Sequence, residues 1–248
     1  MRMFENEWLK IRHCKQLWLL FLAAVCFVAL ISFAPDNHYP MADSGCTASF
    51  VYFRESGCIV LLLLSCVAEV FFTREMQQGT MQNSLCCGIS RGQYFAAKSL
   101  CCLGTGGLIY LFTVLENVYI RTAMCGFWPE GGPDYLYSDY LLTLIAYHLG
   151  FCIPFCALLS LYILVAVWVR RPAVVYLAGL VTCVADLQLD MAFPGWRGPY
   201  AVMFDMEDMA AEGSVMTGAF TALFAQCALM GILFLASAYL VFRKKDIH

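Results

Sequence analysis

The residues best suited to acid–base chemistry near neutral pH are the four histidines, His13, His38, His148 and His248. None of them has both a nucleophile and a carboxylate at spacings that would place the side chains on one helix face. His-Glu-x-x-His does not occur in the chain, and the Gly-x-Ser-x-Gly pattern at residues 88–92 lies in a polar stretch between two predicted helical spans, not after a strand as a nucleophile elbow requires. The sequence therefore contains no assembled catalytic set, which disfavours an enzyme such as a protease or a lipid transferase.

The fourteen cysteines do not form a pattern typical of a metal site. Many lie inside apolar runs, where a thiol behaves as a small hydrophobic group, and the adjacent pairs lack the two-residue gap of zinc knuckles. No metal is therefore predicted. Cys46 and Cys125 both fall in predicted outer loops, so a disulfide between them is an open alternative in an oxidising compartment.

A nucleotide site is also missing from the sequence. A phosphate-binding loop needs Gly-x-x-x-x-Gly-Lys-Ser/Thr. Of the five lysines only Lys98 precedes a serine, and Ala97 stands before it. We therefore predict that this chain binds no ATP and no other cofactor itself.

The composition indicates an integral membrane protein. The chain has 248 residues, of which 61% are hydrophobic and only 13% are charged, whereas a soluble domain is about 45–50% apolar and about 25% charged. There is no basic excess that would favour nucleic acid as a partner. We predict an all-α fold in a single transmembrane domain, residues 1–248, in a multi-pass arrangement in the cell membrane.

Six apolar runs are long enough to approach a membrane crossing. We predict spans at 17–34, 57–73, 94–115, 140–169, 172–189 and 215–242. Residues 1–15 carry Phe4, Trp8 and Ile11 at helical spacing, which favours an amphipathic helix in the membrane interface, with a frayed tail as the alternative.

The basic residues set the predicted orientation, because basic loops are retained in the cytoplasm. With six spans and both termini inside, twelve of the fifteen Lys and Arg residues lie on the cytoplasmic side, and Arg54, Arg121 and Arg197 lie outside. The outer side includes a semi-hydrophobic segment, 190–214, that contains the acidic residues Asp205, Glu207 and Asp208. Broken helices that dip into the interface and an ordinary acidic loop are both compatible with it.

The polar stretch between the second and third predicted spans, residues 74–92, is called the coupling segment below. Gly79 and Thr80 fit a helix break followed by an N-cap, and Gly88 fits a helix stop. Ser90 and Gln93 have the spacing of a capping box at the start of the third span. The pattern predicts a short helix, from Met81 to about Cys87, that lies across the membrane face.

Three polar residues are predicted at or within spans. For Glu69, near the cytoplasmic end of the second span, we favour an interfacial carboxylate paired with Arg74 or Arg12. Lys98 is expected to extend back to the lipid headgroups. His148 either lines a central cavity or forms a hydrogen bond with a neighbouring helix.

The coupling segment resembles the permease subunits of ABC-2 type ABC transporters. These carry an acidic residue and a Gly-Thr soon after the second span, then a Ser-Arg step and a lysine that opens the third span. The matching positions in this chain are Phe72, Glu75, Gly79, Thr80, Ile89, Ser90, Arg91 and Lys98. The six predicted spans and the basic tail also agree, and the small size looks most like permeases of lantibiotic or bacitracin immunity.

The resemblance implies a permease subunit of an exporter, with ATP and Mg bound by a separate ATPase subunit and with a second permease copy or a sister permease. It also implies which residues form the coupling interface with the ATPase subunit: Glu75, Gly79, Thr80, Met81, Leu85, Ser90 and Arg91. An antimicrobial peptide or another amphipathic compound would be the substrate class. A secondary transporter or channel is the other hypothesis, but paired repeats and mid-membrane polar groups are largely missing.

Overall fold

The computed structural model describes the backbone of residues 2–33, 59–81, 86, 88–127, 140–192, 198–203, 205 and 218–244. Every regular element in these ranges is helical. This agrees with the predicted all-α fold. The short helix predicted from Met81 to Cys87 lies mostly outside the described residues, as does the Cys46 half of the proposed disulfide.

Seven helical elements organise the described chain. They are α1, Arg2–His13; α2, Lys15–Phe33; α3, residues 59–77, with a π-helical turn at Glu69–Thr73 and a final α-helical turn at Arg74–Gln77; α4, Arg91–Cys125; α5, Tyr140–Val169; α6, Pro172–Ala192; and α7, Gly218–Lys244. Residues 199–203 are also helical and buried, which favours broken helices for this part of the outer segment over an ordinary loop.

Within the described residues, three helices are long and apolar enough to cross a membrane: Arg91–Cys125, Tyr147–Val169 and Thr221–Lys244. A fourth candidate is the pair Glu7–His13 and Lys15–Leu30, which bends by 63° at Cys14, if that pair counts as one span. The protein is therefore a multi-pass membrane protein. The arrangement of six crossings stays a prediction.

The core of the bundle is built around α5. Its side chains Phe151, Phe155, Leu158 and Tyr162 are fully buried. Helix α7 approaches it closely, since a Cβ atom added at Gly231 would lie 3.2 Å from the Cα atom of Ala157. This close contact of small residues is a common way for membrane helices to pack.

Helix α4 is longer than the sequence pattern predicted. We expected a span that ends near Leu115 and a loop over 116–140 that holds Arg121, but α4 continues to Cys125. The reason is that Thr113, Asn117 and Arg121 recur every four residues and are buried along one face. At 1.5 Å per residue the helix is about 52 Å long, which exceeds a hydrocarbon core of about 30 Å.

Candidate coupling site

Three elements meet where the coupling segment begins: α1, the last turn of α3, and the first turns of α4. Helix α3 ends at a turn in which Gly79 has φ +67°, a backbone conformation that favours glycine. Helix α4 starts at Ser90, whose Oγ accepts from the Gln93 N–H while the Gln93 side chain accepts from the Ser90 N–H. The predicted capping box is confirmed, and it fixes the direction in which α4 leaves the segment.

Two carboxylates and two ammonium groups form one connected cluster at this meeting point. Lys98 Nζ lies 2.8 Å from Glu7 Oε2 and 2.6 Å from Glu75 Oε1. Lys10 Nζ lies 3.0 Å from Glu7 Oε1 and 2.8 Å from Glu75 Oε1. We call Glu7, Lys10, Glu75 and Lys98 the charge cluster. Each carboxylate contacts both cations, so the formal charges cancel.

The charge cluster is largely shielded from the surroundings of the protein. The side chains of Lys98 and Glu7 are only 1% and 4% exposed, and that of Glu75 is 11% exposed, whereas that of Lys10 is half exposed. A buried ion is tolerated only when it is paired and hydrogen-bonded, because its desolvation is costly. The expectation that Lys98 extends to the headgroups is therefore wrong: carboxylates from two other elements satisfy it inside the protein.

Aromatic side chains complete the surroundings of the charge cluster. Tyr94 donates from its hydroxyl to Glu75 Oε2 at 2.6 Å, and its ring stacks on that of Phe242 in α7. Lys98 Nζ also lies 5.5 Å from the Tyr94 ring centroid and 5.7 Å from that of Phe71, within the range of a cation–π contact. The cluster is thus connected to the C-terminal helix as well as to α1, α3 and α4.

The electrostatics favour the charged forms of Glu75 and Lys10, which both lie outside the predicted spans. Burial by itself would raise the pKa of Glu75, but Lys98 and the hydrogen bonds from Lys10, Lys98 and Tyr94 outweigh it, and the pKa is lowered from 4.5. Burial would likewise lower the pKa of Lys10, but Glu75 and Glu7 raise it above 10.5. Both groups are therefore ionised at neutral pH.

These shifts predict how stability depends on pH. Because the pKa of Glu75 is lowered on folding, its contribution is fully present above about pH 4.5 and is lost as the pH falls through the folded value. We expect the difference in melting temperature between the wild type and Glu75→Gln to be constant from about pH 5 to 9 and to narrow below pH 4.5. A difference that stays constant down to about pH 3 would contradict this account of the Glu75 pKa.

Weaker contacts surround the charge cluster on the same side of the protein. The Gln77 side chain donates to the carbonyl of Arg170 at 2.9 Å, between α5 and α6. Arg91 donates to the carbonyl of Arg243 at 2.9 Å, and Arg74 donates to the side chain of Gln16 at 2.8 Å. Each contact joins the coupling segment to a different part of the bundle, so the segment is fixed at several points.

A comparison with protein families matches residues 3–186 to the ABC-2 family transporter protein model. The match covers about three quarters of the chain, and it includes α1, the coupling segment and every residue of the charge cluster. This chain belongs to the ABC-2 transporter family. No curated protein matches it. Members of this family are generally the transmembrane component of an ABC transporter and have no nucleotide-binding site of their own.

The exposed positions of the coupling segment in this ABC-2 protein differ from those implied by the family resemblance. Thr80, Ser90 and Arg91 are exposed, and Gly79 is half-buried. Glu75 and Met81 are buried, at 8% and 2% exposure, because Glu75 joins the charge cluster and Met81 packs into the core. Leu85 lies outside the described residues.

The hydrogen-bond partner of Glu69 is neither of the two basic residues predicted to pair with it, Arg74 and Arg12. It is buried in the π-helical turn and accepts a hydrogen bond from the Tyr176 hydroxyl of α6 at 3.1 Å. Arg74, expected to pair with it, donates to Gln16 instead. A π-helical turn carries an extra residue, so side chains on either side of it are rotated relative to a regular helix.

The other predicted polar residues have simpler outcomes. His148 Nδ1 shares a hydrogen bond with the Tyr110 hydroxyl of α4 at 3.0 Å, which is the second of the two alternatives considered for it. Asp205 is half-buried, and Glu207 and Asp208 lie outside the described residues. No group of three or more potential metal ligands occurs within the part of the chain that the structure describes.

Sequence reasoning missed Glu7, Lys10 and Tyr94 as site residues. Glu7 and Lys10 are three residues apart, which places them on one face of α1, and this spacing was the available signal. Tyr94 was treated only as the start of an apolar run, although a buried tyrosine hydroxyl usually needs a partner.

Proposed function

We propose that this chain is the permease subunit of an ABC exporter in the cell membrane, driven by ATP that a separate subunit hydrolyses. In this proposal the chain crosses the membrane six times with both termini in the cytoplasm, and the coupling segment docks on the ATPase subunit. The twelve basic residues on the cytoplasmic side support the orientation. A second permease copy or a sister permease would complete the translocation path.

One observation carries the proposal: the segment that resembles a coupling segment is held by charges from two other elements. A loop that only connects two spans needs no such support. A loop that receives force from a partner must be rigid relative to the helices that it moves. The charge cluster, the Ser90 cap and the contact of Arg91 with α7 provide that rigidity.

The proposed substrate is an amphipathic compound such as an antimicrobial peptide. The support is the acidic character of the outer segment, with Asp205, Glu207 and Asp208 among apolar residues. Such a surface would attract a cationic amphipathic molecule as it leaves the protein. The chain would then contribute to immunity against that compound.

The docking proposal predicts a specific loss of association. The exposed residues Thr80 and Arg91 can be replaced together, Thr80→Trp with Arg91→Glu, while the buried Glu75 is left intact. A bulky ring and a reversed charge in the centre of an interface commonly remove 1.4 kcal/mol or more of binding free energy, about tenfold in affinity. We expect at least about this loss in the affinity for a Walker-type ATPase subunit encoded beside the permease, measured in detergent by co-purification and titration.

The matched control is Lys244→Glu, which reverses another exposed cytoplasmic charge at the end of α7, outside the coupling segment. It should bind the ATPase subunit as the wild type does, and both variants should melt within a few degrees of the wild type. Unchanged affinity in Thr80→Trp with Arg91→Glu would show that the coupling segment is not the docking surface.

A further inference from the structure

Helix α1 is joined to the rest of the protein through a sharp bend in the backbone. It is separated from α2 by a bend of 63° at Cys14, and its sequence distance from Glu75 is 65 residues. Its closest charged contacts are those of the charge cluster, in which Glu7 contacts Lys98 and Lys10 contacts Glu75. These ion pairs therefore contribute directly to the position of α1 relative to the coupling segment.

The side of α1 that faces away from the charge cluster carries exposed apolar side chains together with the exposed basic residues Arg12 and His13. Trp8 is 61% exposed and Leu9 is 50% exposed. An amphipathic helix of this kind lies at the boundary between headgroups and acyl chains. One face of α1 is thus attached to the coupling segment by charge, and the other is suited to the lipid interface.

The charges make this attachment stiff. Lys98 is fully buried, and a displacement of α1 that removed Glu7 would leave its ammonium group with fewer counter-charges in apolar surroundings. Pulling α1 away from Glu75 would also separate Lys10 from one of its two carboxylates. Small separations are therefore costly, and the elements should move together rather than slide past each other.

We propose that α1 and the coupling segment form one mechanical unit, so that ATPase docking at the coupling segment is transmitted through Glu7 and Lys10 to α1 and the membrane interface. This inference rests on the proposed function. Glu7 and Lys10 are positioning residues in this scheme, because they act through Glu75 and Lys98. The conformational change driven by ATP hydrolysis would then reach the bundle through α3 and α4 and also through α1.

The variant that isolates this link is Glu7→Gln with Lys10→Met. It removes one negative and one positive charge, both from α1, and it leaves the Glu75–Lys98 ion pair and the Tyr94 hydrogen bond in place. The coupling segment keeps its own support while α1 loses its ionic attachment. Lys10→Arg is the conservative companion, because it keeps the charge and can still reach both carboxylates.

Hydrogen–deuterium exchange with mass spectrometry tests the inference on the full-length permease, alone and with the ATPase subunit and ATP. In the wild type we expect amide exchange to slow by at least about fivefold both in peptides from the coupling segment and in peptides from α1 when the complex forms. In Glu7→Gln with Lys10→Met, only the coupling-segment peptides should slow. The single variant Lys10→Arg should show the same exchange pattern as the wild type.

Three results would overturn the inference, and they differ from one another. Slowing in the coupling segment of the wild type without slowing in α1 would refute the transmission while docking stands. Equal slowing of α1 in the wild type and in Glu7→Gln with Lys10→Met would show that the ion pairs do not carry it. No slowing in the coupling segment of the wild type would refute the proposed function itself, and the transmission with it. The first and third results need only the wild type, so the inference can still be overturned if a variant folds poorly.

Discussion

Replacing Lys98 with methionine is expected to destabilise the protein by about 3–5 kcal/mol, the usual cost of removing one partner from a buried ion pair. Methionine keeps most of the volume of the lysine side chain, so the loss is mainly one of charge. Without Lys98, the carboxylates of Glu7 and Glu75 share the half-exposed Lys10, and one buried negative charge is uncompensated. Chemical denaturation in detergent micelles, followed by circular dichroism, measures the effect.

The double variant Glu7→Gln with Lys98→Met is the control for this prediction. It removes one charge of each sign and leaves Glu75 paired with Lys10. We expect it to be more stable than Lys98→Met alone, because residues in one ionic network do not act additively. If the two substitutions instead add their separate costs, Lys98 stabilises the protein through packing rather than through charge.

Gly179→Leu is expected to have the second largest effect on stability. A Cβ atom at Gly179 in α6 would lie 2.8 Å from Ser65 Oγ and 3.2 Å from the backbone oxygen of Leu61 in α3. A leucine must push these helices apart, and overpacking of this kind typically costs about 1–3 kcal/mol. The same displacement would break the hydrogen bond between Tyr176 and Glu69.

The matched control is Gly104→Leu on α4, where an added Cβ atom meets nothing within 4 Å among the described residues. The same change in residue type there should leave the melting temperature nearly unchanged. Comparable losses in both variants would mean that the glycines matter for helix propensity or insertion, and that the close contact between α3 and α6 is not what Gly179 provides.

The sequence predicted the features that depend on neighbours along the chain. The box at Ser90 and Gln93 is recognisable because its hydrogen bonds join residues three apart. The breaks at Gly79 and Gly88 are recognisable because both backbones have a positive φ that favours glycine. The ABC-2 family could be recognised from the coupling segment for the same reason, since its motif is local.

The length of α4 and the environment of Glu69 were not predictable in this way. Asn117 and Arg121 look like loop residues when polarity alone is considered, but burial against other helices lets α4 continue past them. The π-helical turn at Glu69–Thr73 has no sequence signature that we recognised. Glu69 within this turn is hydrogen-bonded to Tyr176 and is not paired with Arg74, although the sequence predicted that pairing. Both outcomes depend on packing between helices.

The sequence by itself thus determined most of the helices, the cap at Ser90, the membrane class and the family of this protein. Only the tertiary structure decided that four charges from three elements form one cluster where the coupling segment begins. Glu7 and Lys98 are 91 residues apart, and nothing in the local pattern requires them to meet. They pair because α1 folds back against the start of α4, and because a lysine buried there is stable only with carboxylates beside it.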